Sequence, residues 1–218
     1  MGYNVAVDGP AGAGKSTIAK LVAKKKGYIY VDTGAMYRGL AIHFLDHGIK
    51  AGDTEKIIEA AEHADVTIRY EDGMQQVYVN GENVTARLRS EEVGRMASAT
   101  SPIPEVRAKL LELQKSLARE QDVIMDGRDI GTCVLPDADV KIFLTASVEK
   151  RAKRRYDELV EKGEQCDLKT IEEDIRKRDE QDSTRELAPL RQAEDAHLVD
   201  SSDMTIQEVV DAIIAMCR

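Results

Sequence analysis

The N-terminal segment contains a glycine-rich stretch, GPAGAGKST, whose residue types and spacing are suited to binding phosphate. It matches the pattern G-x-x-x-x-G-K-[ST] at Gly9, Gly14, Lys15 and Ser16. In this pattern backbone N–H groups surround a polyphosphate, the lysine reaches its β- and γ-phosphates, and the hydroxyl binds Mg²⁺. The residues that this motif predicts to bind the phosphates of a nucleotide are Gly9, Pro10, Ala11, Gly12, Ala13, Gly14, Lys15, Ser16 and Thr17.

Several arginines lie in short polar motifs elsewhere in the chain. A guanidinium forms two parallel hydrogen bonds with a phosphate, so arginines from separate segments could surround a second, acceptor phosphate. A single arginine is more typical of a solvated surface charge, but these occur together with two aspartates. The group comprises Arg38, Arg107, Arg128, Arg178 and Arg185, with Asp129 and Asp182.

The elements that must position these residues are read from the apolar pattern. Five short apolar strands alternate with helical segments, which predicts an α/β fold of the P-loop NTPase type, with a five-stranded parallel sheet and helices on both faces. Asp8, Asp32 and Asp126 each follow one of these strands. Ligands of such sheets bind beyond the carboxyl ends of the strands, so three polar segments should meet at one edge.

Two segments depart from this alternation. Residues 65–85 alternate apolar and polar side chains and contain DG and NG dipeptides, which predicts an antiparallel β-hairpin insert. Residues 147–185 are highly charged and interrupted by EKGEQCD, which predicts two exposed helices joined by a turn.

Composition excludes several classes of protein. The 218 residues carry a net charge of -9, which does not favour nucleic acid or an anionic membrane as a partner. Three scattered cysteines indicate neither a disulfide framework nor a zinc site. No signal peptide or membrane-spanning run is evident, so we expect a cytoplasmic location. An N-K-x-D motif is absent, which argues against a GTPase switch.

The motifs together resemble those of bacterial cytidylate kinases, which are nucleoside monophosphate kinases of the P-loop class. The resemblance covers essentially the whole chain. The first motif is shared by many P-loop enzymes, whereas DTGAMYR, DGRDIGT and RDxxDSTR in combination are specific to this family. The segments that carry it are GPAGAGKST, DTGAMYRG, the insert ending in NGENVT, ASATSPIPEVR, DGRDIGT with VLPDADVKIFLTAS, and RDEQDSTRELAPL.

The resemblance implies specific roles. Ser98, Arg107 and Asp129 match contacts to the cytosine edge, where an acidic acceptor beside two donors suits the N4 amino group, O2 and N3. The other implied CMP-binding residues are Thr33, Arg38, Arg128, Arg178, Asp182 and Arg185, with Arg38 and Arg128 as the phosphate clamp. The residues expected to act in phosphoryl transfer are Lys15, Arg38, Arg128 and Arg185.

Two assignments stay open at this point. Arg151, Arg154 and Arg155 resemble arginines of a lid that closes over ATP, but they could equally form the solvated face of a charged helix. Asp126 could hold Mg²⁺ through water together with Ser16, or it could form a turn with Gly127 that positions Arg128. The expected organisation is a core (1–62, 91–146 and 186–218), a monophosphate-binding insert (about 63–90) and a lid (about 147–185).

The expected activity is Mg²⁺-dependent transfer of the γ-phosphoryl group of ATP to CMP, with dCMP as a second acceptor. The absence of a long apolar heptad pattern, with the resemblance, predicts a monomer. Two alternatives remain. One is a P-loop kinase for AMP, UMP or a non-nucleotide alcohol, and the other is a nucleotide-dependent switch whose arginines dock a partner.

Overall fold

The computed structural model describes residues 2–218. The first half of the chain forms β1 (Asn4–Asp8), α1 (Lys15–Lys26), β2 (Ile29–Asp32), α2 (Thr33–Asp46), α3 (Thr54–His63), β3 (Val66–Glu71), β4 (Met74–Val79), β5 (Glu82–Asn83), a 3₁₀ turn (Thr85–Arg87) and α4 (Glu91–Thr100). The second half forms α5 (Pro104–Glu120), β6 (Val123–Asp126), a π-helical turn (Ile130–Val134), β7 (Val140–Thr145), α6 (Val148–Glu161), α7 (Leu168–Thr184), β8 (His197–Asp200) and α8 (Ile206–Met216).

The larger sheet has five strands in the order β2-β6-β1-β7-β8. β1 pairs in parallel with β6 on one side and β7 on the other, and β7 pairs in parallel with β8. All four residues of β6 are buried, as continuous apolar strands of parallel sheets usually are. The predicted five-stranded parallel sheet with helices is confirmed.

The second sheet is antiparallel and contains β3, β4 and β5. Asp72 and Gly73 join β3 to β4, and both have positive φ angles, 51° and 73°. Asn80 and Gly81 join β4 to β5 with φ of 51° and 82°. Two consecutive positive φ angles are what a type I′ two-residue hairpin turn requires, and Asx-Gly pairs adopt them readily. The antiparallel insert predicted from these dipeptides is confirmed.

The chain folds as two compact units. The P-loop unit comprises Tyr3–Tyr28 and Asp122–Arg218, and the hairpin unit comprises Ile29–Gln121 together with Gly2. The core of the P-loop unit includes the fully buried side chains of Ile124, Ile142 and Leu144. Within residues 2–218, no helix combines the length and the apolar character needed to cross a membrane.

Candidate functional site

The glycine-rich loop between β1 and α1 depends on backbone conformations that other residues rarely adopt. Gly9, Gly12 and Gly14 have φ of 148°, 75° and 86°. A Cβ atom on Gly9 would lie 1.9 Å from the carbonyl oxygen of Leu144, so a side chain cannot be accommodated there. Gly14 is the N-cap residue of α1, and without a side chain it leaves the first N–H groups of this helix available to an anion.

Lys15 is the first residue of α1, and its side chain is buried. Its Nζ donates a hydrogen bond to the carbonyl oxygen of Pro10 at 2.8 Å. Burial, and to a lesser extent the charges of Arg128 and Arg178, lower the pKa of Lys15 to about 7 against the opposing effect of Asp126. Several cations are therefore held close enough to repel one another, an arrangement that an anionic ligand would stabilise.

Ser16 and Asp126 come from the two separate sequence segments of the P-loop unit and lie in contact. The Ser16 hydroxyl donates to Oδ2 of Asp126 at 2.9 Å, and Asp126 is buried at the end of β6. The described residues contain no group of three or more His, Cys, Asp or Glu side chains that could hold a metal ion unaided. A hydroxyl and a carboxylate nevertheless fit Mg²⁺, which takes one or two protein oxygens and completes its shell with phosphates and water.

Asp8 joins the strand before the glycine-rich loop to the segment after β6. Its carboxylate accepts the backbone N–H groups of Ile130 at 2.8 Å and Gly131 at 2.7 Å. Burial raises the pKa of Asp8 to about 6, although these two hydrogen bonds oppose the shift. The sequence predicts Asp8 at the sheet edge without indicating a role, and in the structure Asp8 anchors the turn that follows Asp129.

Two arginine–aspartate pairs connect the DGRD segment to the end of α7. Nε of Arg128 donates to Oδ2 of Asp182 at 2.9 Å. In the second pair the DGRD segment supplies the aspartate instead of the arginine. Nη2 of Arg185 lies 3.7 Å from Oδ1 of Asp129, and both side chains are more than nine-tenths buried. Arg178 also lies in α7, and its charge acts on Lys15. The predicted acceptor-binding residues of this unit therefore all belong to the DGRD segment or to α7 and its end, and they are Arg128, Asp129, Arg178, Asp182 and Arg185.

The three predicted lid arginines have different environments. Arg151 is buried, and its guanidinium donates to the carbonyl oxygen of Ala11 at 3.0 Å and to Asp179 at 3.1 and 2.6 Å. Arg154 donates to the carbonyl oxygen of Ser201 at 2.7 Å. Arg155 is exposed and pairs with Glu158 one turn further along α6 at 2.9 Å.

Asp179 was missed by the sequence analysis. The run KRDEQDSTR contains three acidic residues. The charge pattern alone does not indicate that Asp179 is the one that contacts the buried Arg151. Its only sequence signal is its place in the RDxxDSTR motif, directly after Arg178.

In the hairpin unit, the start of α2 carries two predicted acceptor residues. Asp32 caps this helix by accepting the Ala35 N–H at 2.9 Å, and Thr33 is buried beside it. A Cβ atom on Gly34 would lie 3.2 Å from Nη1 of Arg38 and 3.3 Å from Oδ1 of Asp32. The glycine therefore leaves room for the Arg38 guanidinium against the helix N-terminus.

Ser98 and Arg107 are brought together at the turn between α4 and α5. Ser101 in this turn donates its hydroxyl to the carbonyl oxygen of Ser98 at 3.1 Å, and its own carbonyl oxygen accepts from Nη1 of Arg107 at 3.4 Å. The Arg107 guanidinium also lies 5.9 Å from the ring centroid of Tyr37, the neighbour of Arg38 in α2. The four predicted residues of this unit thus occupy α2, α4 and α5.

Known proteins share this sequence over almost its whole length. The family model described as cytidylate kinase matches residues 5–218. The chain is 53% identical over 213 residues to a cytidylate kinase of Caldicellulosiruptor saccharolyticus, covering 98% of this chain and 94% of that protein. It is 48% identical over 211 residues to a cytidylate kinase of Bacillus subtilis, covering 97% of this chain and 94% of that protein.

Solved structures resemble the fold at much lower identity. An uncharacterized protein from Eubacterium ventriosum aligns with a TM-score of 0.54 at 13% identity, covering 98% of this chain and 96% of that chain. A gluconokinase from Sinorhizobium meliloti aligns with a TM-score of 0.50 at 15% identity, covering 98% and 90%. These similarities support the fold alone, whereas the sequence matches establish that the chain belongs to the cytidylate kinase family.

Proposed function

We propose that this protein transfers the γ-phosphoryl group of ATP to the 5′-phosphate of CMP, with dCMP as a second acceptor. The observation that carries the proposal is the glycine-rich loop with its buried Lys15, next to which Ser16 contacts Asp126, the first residue of the DGRD segment that carries Arg128. Family membership over nearly the full chain supports the same reaction.

The proposed chemistry is a direct in-line transfer without a covalent enzyme intermediate. The attacking oxygen belongs to a phosphate that is already largely ionised near neutral pH, so a general base adds little. The work of the protein is to align the two phosphates, neutralise their charge and exclude water. Lys15 binds the β- and γ-phosphates, and Arg128 binds the acceptor phosphate.

Ser16 and Asp126 are the residues proposed to hold Mg²⁺. When bound, the ion neutralises phosphate charge during transfer. Ser16 would bind the ion directly and Asp126 would hold it through water, and the two side-chain oxygens already lie 2.9 Å apart. The hydrogen bond between them keeps the Ser16 hydroxyl directed toward Asp126, which supports a metal-binding role for Asp126 over a purely local turn.

The remaining CMP-binding roles are proposals carried by the family resemblance. In the hairpin unit, Thr33 and Arg38 are assigned to the acceptor phosphate and Ser98 and Arg107 to the base. In the P-loop unit, Asp129 is assigned to the cytosine amino group. Arg178, Asp182 and Arg185 are assigned to the pentose hydroxyls and the phosphate.

The proposed organisation keeps an insert at about 63–90 and a lid at about 147–185. Within this lid, Arg154 and Arg155 are proposed to reach ATP on closure, since neither side chain is buried against the glycine-rich loop as Arg151 is. We also propose a monomeric, cytoplasmic protein, as the family and the sequence pattern lead us to expect.

The experiment that tests the function is a coupled assay of ADP release with ATP and Mg²⁺. CMP, dCMP, UMP, AMP and GMP are supplied one at a time, with a control lacking an acceptor. Fast release with CMP and dCMP alone is expected. Equal rates with UMP would retain the kinase but contradict the proposed base recognition, and release without any acceptor would favour a nucleotide-dependent switch.

A further inference from the structure

The side chain of Gln75 makes two hydrogen bonds to the backbone of a single residue in another element. Gln75 lies in β4 of the antiparallel sheet. Its Oε1 accepts the backbone N–H of Asp32 at 2.8 Å, and its Nε2 donates to the carbonyl oxygen of Asp32 at 3.0 Å. In a side-chain amide one N–H and the C=O point to the same side, so the amide can pair with the N–H and the C=O of one extended residue at once.

Asp32 is the junction between β2 and α2. It ends the strand, and its carboxylate caps the helix that begins at Thr33. β2 also lies at one end of the sheet order. At that end, the Gln75 amide supplies the donor and the acceptor that a neighbouring strand would supply.

Two further contacts join the antiparallel sheet to β2 and α2. The Tyr70 hydroxyl donates to the carbonyl oxygen of Tyr30 at 3.2 Å. Gly39 in α2 approaches β4 so closely that a Cβ atom there would lie 2.8 Å from Cγ1 of Val77. The antiparallel sheet therefore contacts three successive points of the chain, which are Tyr30 in β2, Asp32 at the junction and Gly39 in α2.

We propose that Gln75 is a positioning residue for the acceptor monophosphate. It fixes the backbone at Asp32 and so sets the start of α2, which carries Thr33 and Arg38. In this view the antiparallel sheet braces α2, in addition to any contact that it makes with a nucleotide. The inference rests on the proposed function, because it assumes that Thr33 and Arg38 bind the acceptor.

The test compares Gln75→Leu with Gln76→Leu. Neighbouring residues of a strand point to opposite faces, and Gln76 accepts only from the exposed Asn83 side chain, at 3.3 Å. Gln75→Leu removes both hydrogen bonds, so KM for CMP should rise about three- to tenfold, with KM for ATP unchanged. Gln76→Leu should leave both KM values at the wild-type level.

A third variant tests the hydrogen bonds themselves. Gln75→Glu retains the acceptor for the Asp32 N–H but places a carboxylate oxygen against the Asp32 carbonyl oxygen, where the two repel each other, so KM for CMP should rise at least as much as in Gln75→Leu. Hydrogen exchange at the amides of residues 35–38 should be faster in Gln75→Leu than in wild type. It should be unchanged in Gln76→Leu.

The outcomes separate the inference from the proposed function. An active wild type with an unchanged KM for CMP in Gln75→Leu would overturn the inference alone, as would an equal rise in both KM values. A wild type that phosphorylates no monophosphate would overturn the proposed function, and with it the acceptor-positioning role. In that case, wild-type hydrogen exchange at residues 35–38 in Gln75→Leu would also show that Gln75 does not fix the start of α2.

Discussion

The Arg151 guanidinium and the Asp179 carboxylate form a two-point ion pair that also holds the glycine-rich loop. The two hydrogen bonds measure 3.1 and 2.6 Å, and the same guanidinium donates to the carbonyl oxygen of Ala11 at 3.0 Å. α6, α7 and the loop that is proposed to bind ATP are therefore joined through one buried side chain. A change in α7 should affect this loop.

Replacing Asp179 with Ala should destabilise the protein and weaken ATP binding. The substitution leaves the buried Arg151 charge without its carboxylate, which costs about 2–3 kcal/mol, somewhat less than for a fully buried pair because Asp179 is about a quarter exposed. Urea unfolding and the KM for ATP measure the two effects.

Glu149→Gln is the matched control for this prediction. It removes another ion pair between α6 and α7, that of Glu149 with Arg176 at 2.8 Å, in which both side chains are more than half exposed. Solvent screens an exposed ion pair, so its loss has little effect and both readouts should stay near wild type. Equal losses in the two variants would contradict a special role for Asp179.

Replacing Arg128 with Ala should lower kcat by about two to four orders of magnitude, because a charge acting on the transferring phosphates is lost. ATP affinity, measured by calorimetric titration, should change little. The control is Arg119→Ala, which removes an exposed arginine of α5 that lies 3.6 Å from Glu112. Near-wild-type turnover in Arg128→Ala would remove this residue from the proposed phosphate clamp.

ATP binding should be coupled to proton uptake through Lys15. The pKa of this side chain is about 7 in the free protein, whereas a bound polyphosphate should return it toward its ordinary value of 10.5. Between these two pKa values the complex holds more protons than the free protein, so ATP affinity should fall as pH rises above about 7.

Calorimetry in buffers of different ionisation enthalpy measures this uptake. We expect up to one proton at about pH 8, where the nucleotide phosphates are themselves ionised. Lys15→Met should bind ATP weakly and without this uptake. Binding by the wild type with no proton exchange at that pH would show that the lysine is already charged in the free protein.

Replacing Gly34 with Ala should separate stability from acceptor binding. Alanine is favoured over glycine in a helix by up to about 1 kcal/mol, but its methyl group would also lie 3.3 Å from the capping Oδ1 of Asp32, so the free energy of unfolding should change by less than about 1 kcal/mol. The added methyl group would lie 3.2 Å from Nη1 of Arg38, so the guanidinium must shift and KM for CMP should rise several-fold. Gly94→Ala in α4, where the added methyl group meets nothing within 4 Å, is the matched control. A KM for CMP equal to that of the control would contradict a tight fit at Gly34.

Local pattern accounts for much of what the sequence alone determined. The α1 helix spans Lys15–Lys26, because the glycine-rich loop defines its start and Gly27 adopts the left-handed conformation that ends it. The DG and NG dipeptides predicted both hairpin turns, since only a few residue types accept consecutive positive φ angles. The spacing of the first motif and the combination of the later ones were sufficient for the family.

Only the tertiary structure decided which polar side chains pair over long distances in the chain. Arg151 lies in a run of charges that reads as a solvated face, yet it is buried because Asp179, 28 positions later, and the Ala11 carbonyl oxygen satisfy it. Strand alternation places Gln75 and Gln76 on opposite faces of β4, but it does not give Gln75 a partner, and only the position of Asp32 makes it a positioning residue. A side chain's type and periodicity set which face it occupies, whereas its partner depends on where the rest of the chain packs.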